Sequence, residues 1–493
     1  MERDAIRFWR RGQGVEKRGF DPRTTLLDYL RLEERSLGTK EGCAEGDCGA
    51  CTVALGRVKD GRLTYEPINA CIFLLGQVDG AEIVTVEDLA SGEDLHPVQE
   101  AMVRNHGSQC GFCTPGIVMS LFTLYQECAR PVSRGAVNDA LAGNLCRCTG
   151  YRPIVDAALE ACSSVPEDAF AAARETAAAR LAAYADDADL MIGGPDRFFA
   201  APASEESLSR LYGAHPDATI LAGATDVGLW LTKGLQPIEK MIWLGRVAGL
   251  SRLKDRADAL TIGAGVTLAD AYAALASLDP DIREVMRRFG SPQVRASGTV
   301  GGSIANGSPI GDLAPALIAL GATLELRRAG ATRTIPLEDF FIAYRRQDRQ
   351  PGEHVRLVTV PKLAEGEAFR AYKVSKRIDE DISAVLGAFR LTLRQRRVAA
   401  ARVAFGGMAG TPKRAPETEV ALEGISLDEP ASWGGAYAAL ARDFQPMDDH
   451  RASAAYRAAV ARNLLFKALT EIAYGNTRAT RIVAQREMSE AAG

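Results

Sequence analysis

Ten cysteines occur in the 493 residues, and eight of them fall in two tight groups within the first 150 positions. The chain opens on Met1, Glu2, Arg3 and Asp4, charged and without the apolar core of a secretion signal, so a reducing cytoplasm is the expected setting. Disulfides do not persist there, and clustered thiols more often hold metal or carry redox chemistry. The first group is Cys43-x4-Cys48-x2-Cys51, followed after nineteen residues by Cys71. That is a spacing used to hold a [2Fe–2S] cluster. Zinc also accepts four thiolates, but its sites favour paired knuckles rather than three clustered ligands and one distant. Glycines 42, 46 and 49 give the loop freedom to fold back and aim N–H groups at sulfur.

The second group is Cys110-x2-Cys113 and, after thirty-two residues, Cys146-x-Cys148. A Cys-x-Cys pair is unusual for structural zinc, so spacing favours iron–sulfur here and leaves zinc as the alternative. Cys128 and Cys162 remain as small, partly buried helix residues. The five histidines, 96, 106, 215, 354 and 450, form no ligand pair and read as surface or capping residues. No catalytic residue is assigned.

Helices must position the second group. Thr114 and Pro115 suit an N-cap and first helical position, and Val118, Leu121, Phe122 and Tyr125 form an apolar face. Pro131 closes that helix, a second begins near Ser133 with Val137 and Leu141 inward, and a third starts near Pro153. The first group belongs with short strands (52–55 and 83–86) and one helix over 24–37, stopped by Gly38. Eleven alanines in the twenty positions 169–188 read as a linker with helical tendency rather than a partner-binding helix. Beyond it lies sequence without cysteine.

Strand-like 218–221 ends in Gly223-Ala224-Thr225-Asp226, strand 260–263 precedes a helix from Leu268, and 297–309 is rich in glycine and serine. Such turns let backbone N–H groups approach a phosphate, though glycine serves ordinary tight turns as well. Neither a G-x-G-x-x-G fingerprint nor a Walker A motif is present, so a dinucleotide would need a different fold. Strands over 369–375, 385–393 and 398–405 followed by alanine-rich helices suggest a C-terminal α+β cap. Hydrophobic residues at 47% and charged residues at 25% exclude a mainly disordered or fibrous chain. A net charge of −4 leaves no footprint for nucleic acid or an anionic membrane surface, and no apolar run is long enough to span a bilayer.

Three segments carry a resemblance. Residues 41–52 (EGCAEGDCGACT), 109–116 (QCGFCTPG) and 144–151 (NLCRCTGY) resemble the two iron–sulfur signatures of the molybdenum hydroxylases. The resemblance runs over nearly the whole chain. It implies a multidomain α+β protein: a ferredoxin-like β-grasp [2Fe–2S] domain at 1–82 and a helical-bundle [2Fe–2S] domain at 83–163. An Ala-rich linker at 164–190, an FAD-binding α+β domain of the vanillyl-alcohol-oxidase type at 191–366 and a C-terminal α+β domain at 367–493 complete it. It also implies FAD contacts at Ile220, Leu221, Ala222, Gly223, Ala224, Thr225, Asp226 and Val227. Thr299, Val300, Gly301, Gly302 and Ser303 form the second such segment, with asparagine common in the family where Ser303 stands. Phe289, Asp312, Val355 and Lys373 are further cofactor positions by resemblance, and Tyr344 and Arg345 line the nicotinamide side.

The arrangement of cluster, cluster and FAD, with no molybdopterin domain after it, resembles the small subunit of a bacterial two-subunit xanthine dehydrogenase. The implied partner is a large molybdopterin-binding subunit in an α2β2 assembly. The implied role is to carry electrons from purine oxidation through two clusters to FAD and NAD+. The same role in an aldehyde or N-heteroaromatic hydroxylase is the enzymatic alternative, and an assembly scaffold without electron transfer is the other.

Overall fold

Alternation carries the strand Ala5–Arg10, in which Ile6, Phe8 and Arg10 are buried. The computed structural model describes residues 2–475, 480 and 481. The strand joins a five-stranded sheet in the order Gln13–Arg18, Ala5–Arg10, Glu82–Val84, Thr52–Lys59, Arg62–Asn69. Its one parallel pair is Ala5–Arg10 with Glu82–Val84. The helix expected over 24–37 is much shorter. Thr25 caps it through Asp28 N–H (3.0 Å), Leu26–Asp28 is α-helical, and Tyr29–Glu33 widens into a π-turn closed by Glu34 N–H on Tyr29 C=O. The buried Arg10 guanidinium binds Glu34 (2.8 Å) and the Ser36 hydroxyl (3.1 Å), and Arg35 turns to a φ of 61°. Tertiary hydrogen bonds therefore end the helix well before Gly38.

The three helices expected after Cys113 form as Thr114–Glu127, Arg134–Leu141 and Arg152–Ala161. The first starts one residue earlier than its signal suggested, with Cys113 rather than Thr114 as the cap. It packs on strands Thr52–Lys59 and Arg62–Asn69, so Ala54, Leu63 and Tyr65 share a core with Val118, Leu121, Phe122 and Tyr125. The alanine-rich stretch read as a linker is instead a docked helix, Ala169–Ala182, capped by Asp168. Its buried Ala177, Ala178 and Leu181 enter the same core. Phe170 meets Tyr65 and Phe122 edge-on, and Arg174 donates to the Leu63 carbonyl (2.8 Å) and Glu127 (2.9 Å). Alanine composition gave the helix; an aromatic and an arginine attach it.

The chain divides into two compact units, and the FAD region expected at 191–366 contributes to both. The first unit is 1–251 with 267–269 and 290–299. Besides the elements above, it holds a sheet in the order Glu2–Arg3, Asp189–Gly194, Arg197–Ala201, Lys240–Trp243, Thr219–Leu221. The second unit has an antiparallel sheet, Leu253–Asp255, Ala259–Gly263, His354–Pro361, Thr323–Arg328, Ala331–Pro336. It also has a four-stranded sheet, Glu367–Val374, Val385–Arg394, Arg397–Gly406, Lys413–Arg414. The helices Pro416–Leu422, Gly434–Asp443 and Ala454–Tyr474 accompany the latter, with Phe389, Phe405, Trp433 and Leu465 in one core. Among the described residues no helix is long and apolar enough to cross a membrane.

Candidate functional site

Strand register builds the first thiol group. Thr52 pairs with Asn69, so Cys51 and Cys71 stand at the same end of one hairpin, and Ala70 N–H donates to Cys51 C=O (3.3 Å). Both thiols are buried. The loop bearing Cys43 and Cys48 is pinned by Asn69, whose amide donates to Gly46 C=O (2.8 Å). Cys48 N–H lies 3.3 Å and Glu45 N–H 3.5 Å from Cys43 Sγ, the contacts a thiolate needs. Gly49 has a φ of 69°, and a Cβ there would stand 2.0 Å from Gly143 C=O, so the glycine permits close backbone approach.

Sulfur chemistry follows from these contacts. Cys43 touches Cys48 and Cys71, and Cys71 touches Cys51. Hydrogen bonds from Cys48 and Cys71 outweigh burial and push Cys43 far below the usual thiol range. Cys48 and Cys71 are pushed up, chiefly because they donate to neighbouring sulfur, with burial adding to it. Four sulfur donors linked in a chain of contacts, two of them buried, are the soft ligand type that a binuclear iron–sulfur cluster takes.

The second group rests on helix ends. Cys113 caps Thr114–Glu127, while Cys146 and Cys148 lie on the loop before Arg152–Ala161. Tyr151, at a φ of 66°, ties that loop: its hydroxyl accepts from Cys146 N–H (2.7 Å) and donates to Asn144 C=O (3.0 Å). Thr149 Oγ1 stands 3.2 Å from Cys146 Sγ. Contacts pair Cys110 with Cys148, both exposed, and Cys113 with Cys146, which is buried. Burial, then donation to Cys146, pushes Cys113 up to about 12. Cys146 is lowered against its burial, because Thr149 and Cys113 hydrogen-bond its sulfur. Sequence reasoning did not single out Tyr151, although a tyrosine three residues past a Cys-x-Cys pair was visible.

The two residual cysteines are neighbours, and burial with Cys128 beside it pushes Cys162 up to about 12. His96 is the capping histidine that composition suggested. Its Nδ1 accepts from Val98 N–H (3.2 Å), and its Nε2 lies 3.0 Å from Asp168.

In the first unit, strand Thr219–Leu221 runs into the turn 222–226, with Ala224 at a φ of 63°, before helix Val227–Thr232. Gln77 Nε2 (3.0 Å) and Trp243 Nε1 (3.1 Å) both donate to Ala222 C=O. A Cβ on Gly223 would lie 1.9 Å from Ser297 C=O, so this turn and the 297–299 segment meet backbone to backbone. The second glycine-rich segment is not the loop expected. Val300–Asn306 is a helix, because Val300 and Ile304 are buried and the N–H groups of Val300 and Gly301 bond to Val266 and Ala264. A Cβ on Gly301 would meet Ala264 at 2.4 Å. Gly302 and Ser303 stay half-buried, small groups on an accessible helix start.

Lys373 and Asp312 face each other in the second unit as a buried ion pair of 2.6 Å. Ser383 donates to Asp312 (2.5 Å), and Lys373 also donates to Arg288 C=O (2.9 Å). Val355 is buried in its strand opposite Leu326. Phe289 is half-buried after the Pro280–Arg287 helix. Tyr344 is exposed, with the Arg345 guanidinium 5.3 Å from its ring. Lys373→Met strands the Asp312 charge and should destabilise the chain by about 3 kcal/mol. Lys373→Met with Asp312→Asn should recover most of that, and thermal unfolding of the two variants is the check.

Comparison with known proteins covers these same segments. Residues 10–75 match the 2Fe-2S iron-sulfur cluster binding domain, and 85–159 match the [2Fe-2S] binding domain. Residues 186–363 match the FAD binding domain in molybdopterin dehydrogenase, and 370–472 match the CO dehydrogenase flavoprotein C-terminal domain. The xanthine dehydrogenase of Emericella nidulans is 33% identical over 499 residues, covering 90% of this chain and 36% of that protein. The xanthine dehydrogenase/oxidase of Mus musculus is 31% identical, covering 82% and 34%. The chain therefore spans about a third of the length of these curated relatives. Among solved structures, the reconstituted CO dehydrogenase from Oligotropha carboxidovorans aligns with a TM-score of 0.52 and 27% identity, over 57% of this chain and 98% of that one. Quinoline 2-oxidoreductase from Pseudomonas putida 86 shares the fold at a TM-score of 0.51 and 24% identity, over 58% and 99%. Two [2Fe–2S] clusters and FAD are the cofactors of these domains.

Proposed function

Because the chain belongs to the molybdenum hydroxylase family, with that family's two iron–sulfur domains and its FAD domain on one polypeptide, we propose that it is the electron-transfer subunit of a xanthine dehydrogenase. The organic substrate is then oxidised at molybdenum on a large partner subunit, in an α2β2 assembly in the cytoplasm, with NAD+ as final acceptor. The observation that carries the reading is the eight thiols gathered in two groups on adjoining loops, ahead of a flavin fold. When bound, the two clusters carry single electrons and FAD gathers two of them for a hydride acceptor.

The chain's own residues divide the work. Cys43, Cys48, Cys51 and Cys71 would hold one cluster, sheltered by the sheet that buries Cys51 and Cys71. Cys110, Cys113, Cys146 and Cys148 would hold the other, with Cys110 and Cys148 exposed beside exposed Phe112 and Leu145. An exposed thiol pair with exposed apolar residues close by in sequence suits the end that meets a partner; the buried group suits the inner end. Leu145 N–H donates to Cys48 C=O (2.9 Å), joining the two cysteine loops directly. In the first unit, the turn 222–226 with Thr299 would hold FAD, Gly223 letting that turn close backbone to backbone on Ser297.

Co-purification with the large subunit, followed by xanthine-dependent NAD+ reduction, tests the reading. A complex that reduces NAD+ with xanthine supports it. A complex that oxidises only aldehydes or N-heteroaromatic rings assigns the same electron path to a different substrate.

A further inference from the structure

Between the two cysteine groups lies a buried polar cluster that no ligand role explains. Gln293, in the helix Pro292–Ser297 capped by Ser291, has no exposed surface. Its Nε2 lies 3.1 Å from Thr52 Oγ1, 3.2 Å from Ser120 Oγ and 3.2 Å from Asn144 Oδ1. Thr52 follows Cys51 directly, and Asn144 stands two residues before Cys146. Ser120 donates to Asn144 Oδ1 (2.6 Å), and Thr52 donates to Gly49 C=O (2.7 Å). Asn144 Nδ2 reaches Gly49 C=O (3.2 Å) and Thr52 Oγ1 (3.4 Å). Gln293 and Asn144 thus both touch the two sides, and Gln293 Nε2 joins all three side chains while its Oε1 stays buried without a hydrogen-bond partner.

Glycines keep the packing around it close. A Cβ on Gly143 would stand 2.1 Å from Gln293 Oε1, and one on Gly116 would stand 2.1 Å from Gly49 C=O. The hub sits beside a backbone hydrogen bond that links the loops, Leu145 N–H to Cys48 C=O. Electrons tunnel most readily through bonded and hydrogen-bonded atoms, so the length and angle of that link govern exchange between the groups.

We propose that Gln293 is a positioning residue: its amide clamps the Cys51 and Cys146 loops in register and so sets how fast electrons pass between the two clusters. The inference rests on the electron-carrying reading of the two thiol groups and adds to it a residue remote in sequence from both. Gln293→Met keeps length and volume while removing the bridge. The Ser120 and Thr52 hydroxyls keep their own acceptors, so folding should survive.

The test uses the full chain purified with its clusters and FAD. Parent and Gln293→Met are reduced with dithionite, and the magnetic splitting between the two cluster signals is read by electron paramagnetic resonance. Intramolecular electron exchange is timed after flash photoreduction. The variant should keep about four irons per chain and the individual cluster signals. Its splitting should shrink, and its exchange should slow by roughly tenfold or more, the scale on which outer partners tune metal sites. Ser120→Ala, which leaves the glutamine in place, should show the same change at smaller size and decides the matter if Gln293→Met loses iron. Unchanged splitting and unchanged exchange in an iron-replete variant would overturn the inference alone. A parent chain without iron would overturn the electron-carrying reading and this inference with it.

Discussion

Cys71→Ser should halve the iron of the purified chain, from about four to about two atoms, since each [2Fe–2S] cluster holds two. Cys71 is buried in the apolar core around the hairpin end and touches both Cys43 and Cys51, so no outside group can replace its sulfur. Serine offers a hard oxygen where iron–sulfur chemistry selects soft thiolate. The remaining three thiols are then one ligand short of the four a [2Fe–2S] cluster takes, and Cys43 and Cys51 each lose the sulfur they touch. Reduction of NAD+ by the complex should fall by more than the roughly 100-fold seen when only supporting partners of a metal are removed. Iron analysis and paramagnetic resonance check the result: one cluster signal should vanish and the signal of the Cys110 group should persist.

Gly223→Ala should empty the flavin site while leaving both clusters in place. The added methyl would stand 1.9 Å from Ser297 C=O, 2.4 Å from its carbon and 2.7 Å from Gly298 Cα. Those are backbone atoms, so the turn must open rather than a side chain rotate. Overpacking of this kind costs about 3 kcal/mol or more when nothing can yield, which corresponds to roughly 100-fold weaker FAD binding. The 450-nm flavin absorbance per iron reads it directly. Gly213→Ala is the control, because a Cβ there meets nothing within 4 Å and lies in the helix Glu205–Ala214. It should leave flavin content unchanged.

Much of the site could be read in the sequence because its ligands are local. Cys43, Cys48 and Cys51 share one loop, and Cys110 with Cys113 and Cys146 with Cys148 each share another, so spacing alone exposed them. Helix ends around Cys113 and Ser133 were marked by proline and serine and formed within a residue or two of expectation. What stayed hidden depends on distant partners. Arg10 shortens the first helix by binding Glu34 and Ser36. Phe170 and Arg174 dock an alanine-rich helix that composition alone made a linker. Val300 and Ile304 turn a glycine-rich stretch into a helix by burial. Gln293 meets Thr52 across 241 positions, a pairing no local pattern signals. Lys373 and Asp312, placed by resemblance at the cofactor, form an ion pair across 61 positions inside the second unit, which no local pattern signals.

Anaerobic reduction of the purified chain with NADH tests the central claim most directly, because it runs the proposed path backwards without needing the partner subunit. The chain as described predicts flavin bleaching followed by two distinct cluster signals, with about four irons per FAD. Zinc in place of iron, absence of flavin, or a flavin that bleaches while both clusters stay oxidised would contradict it.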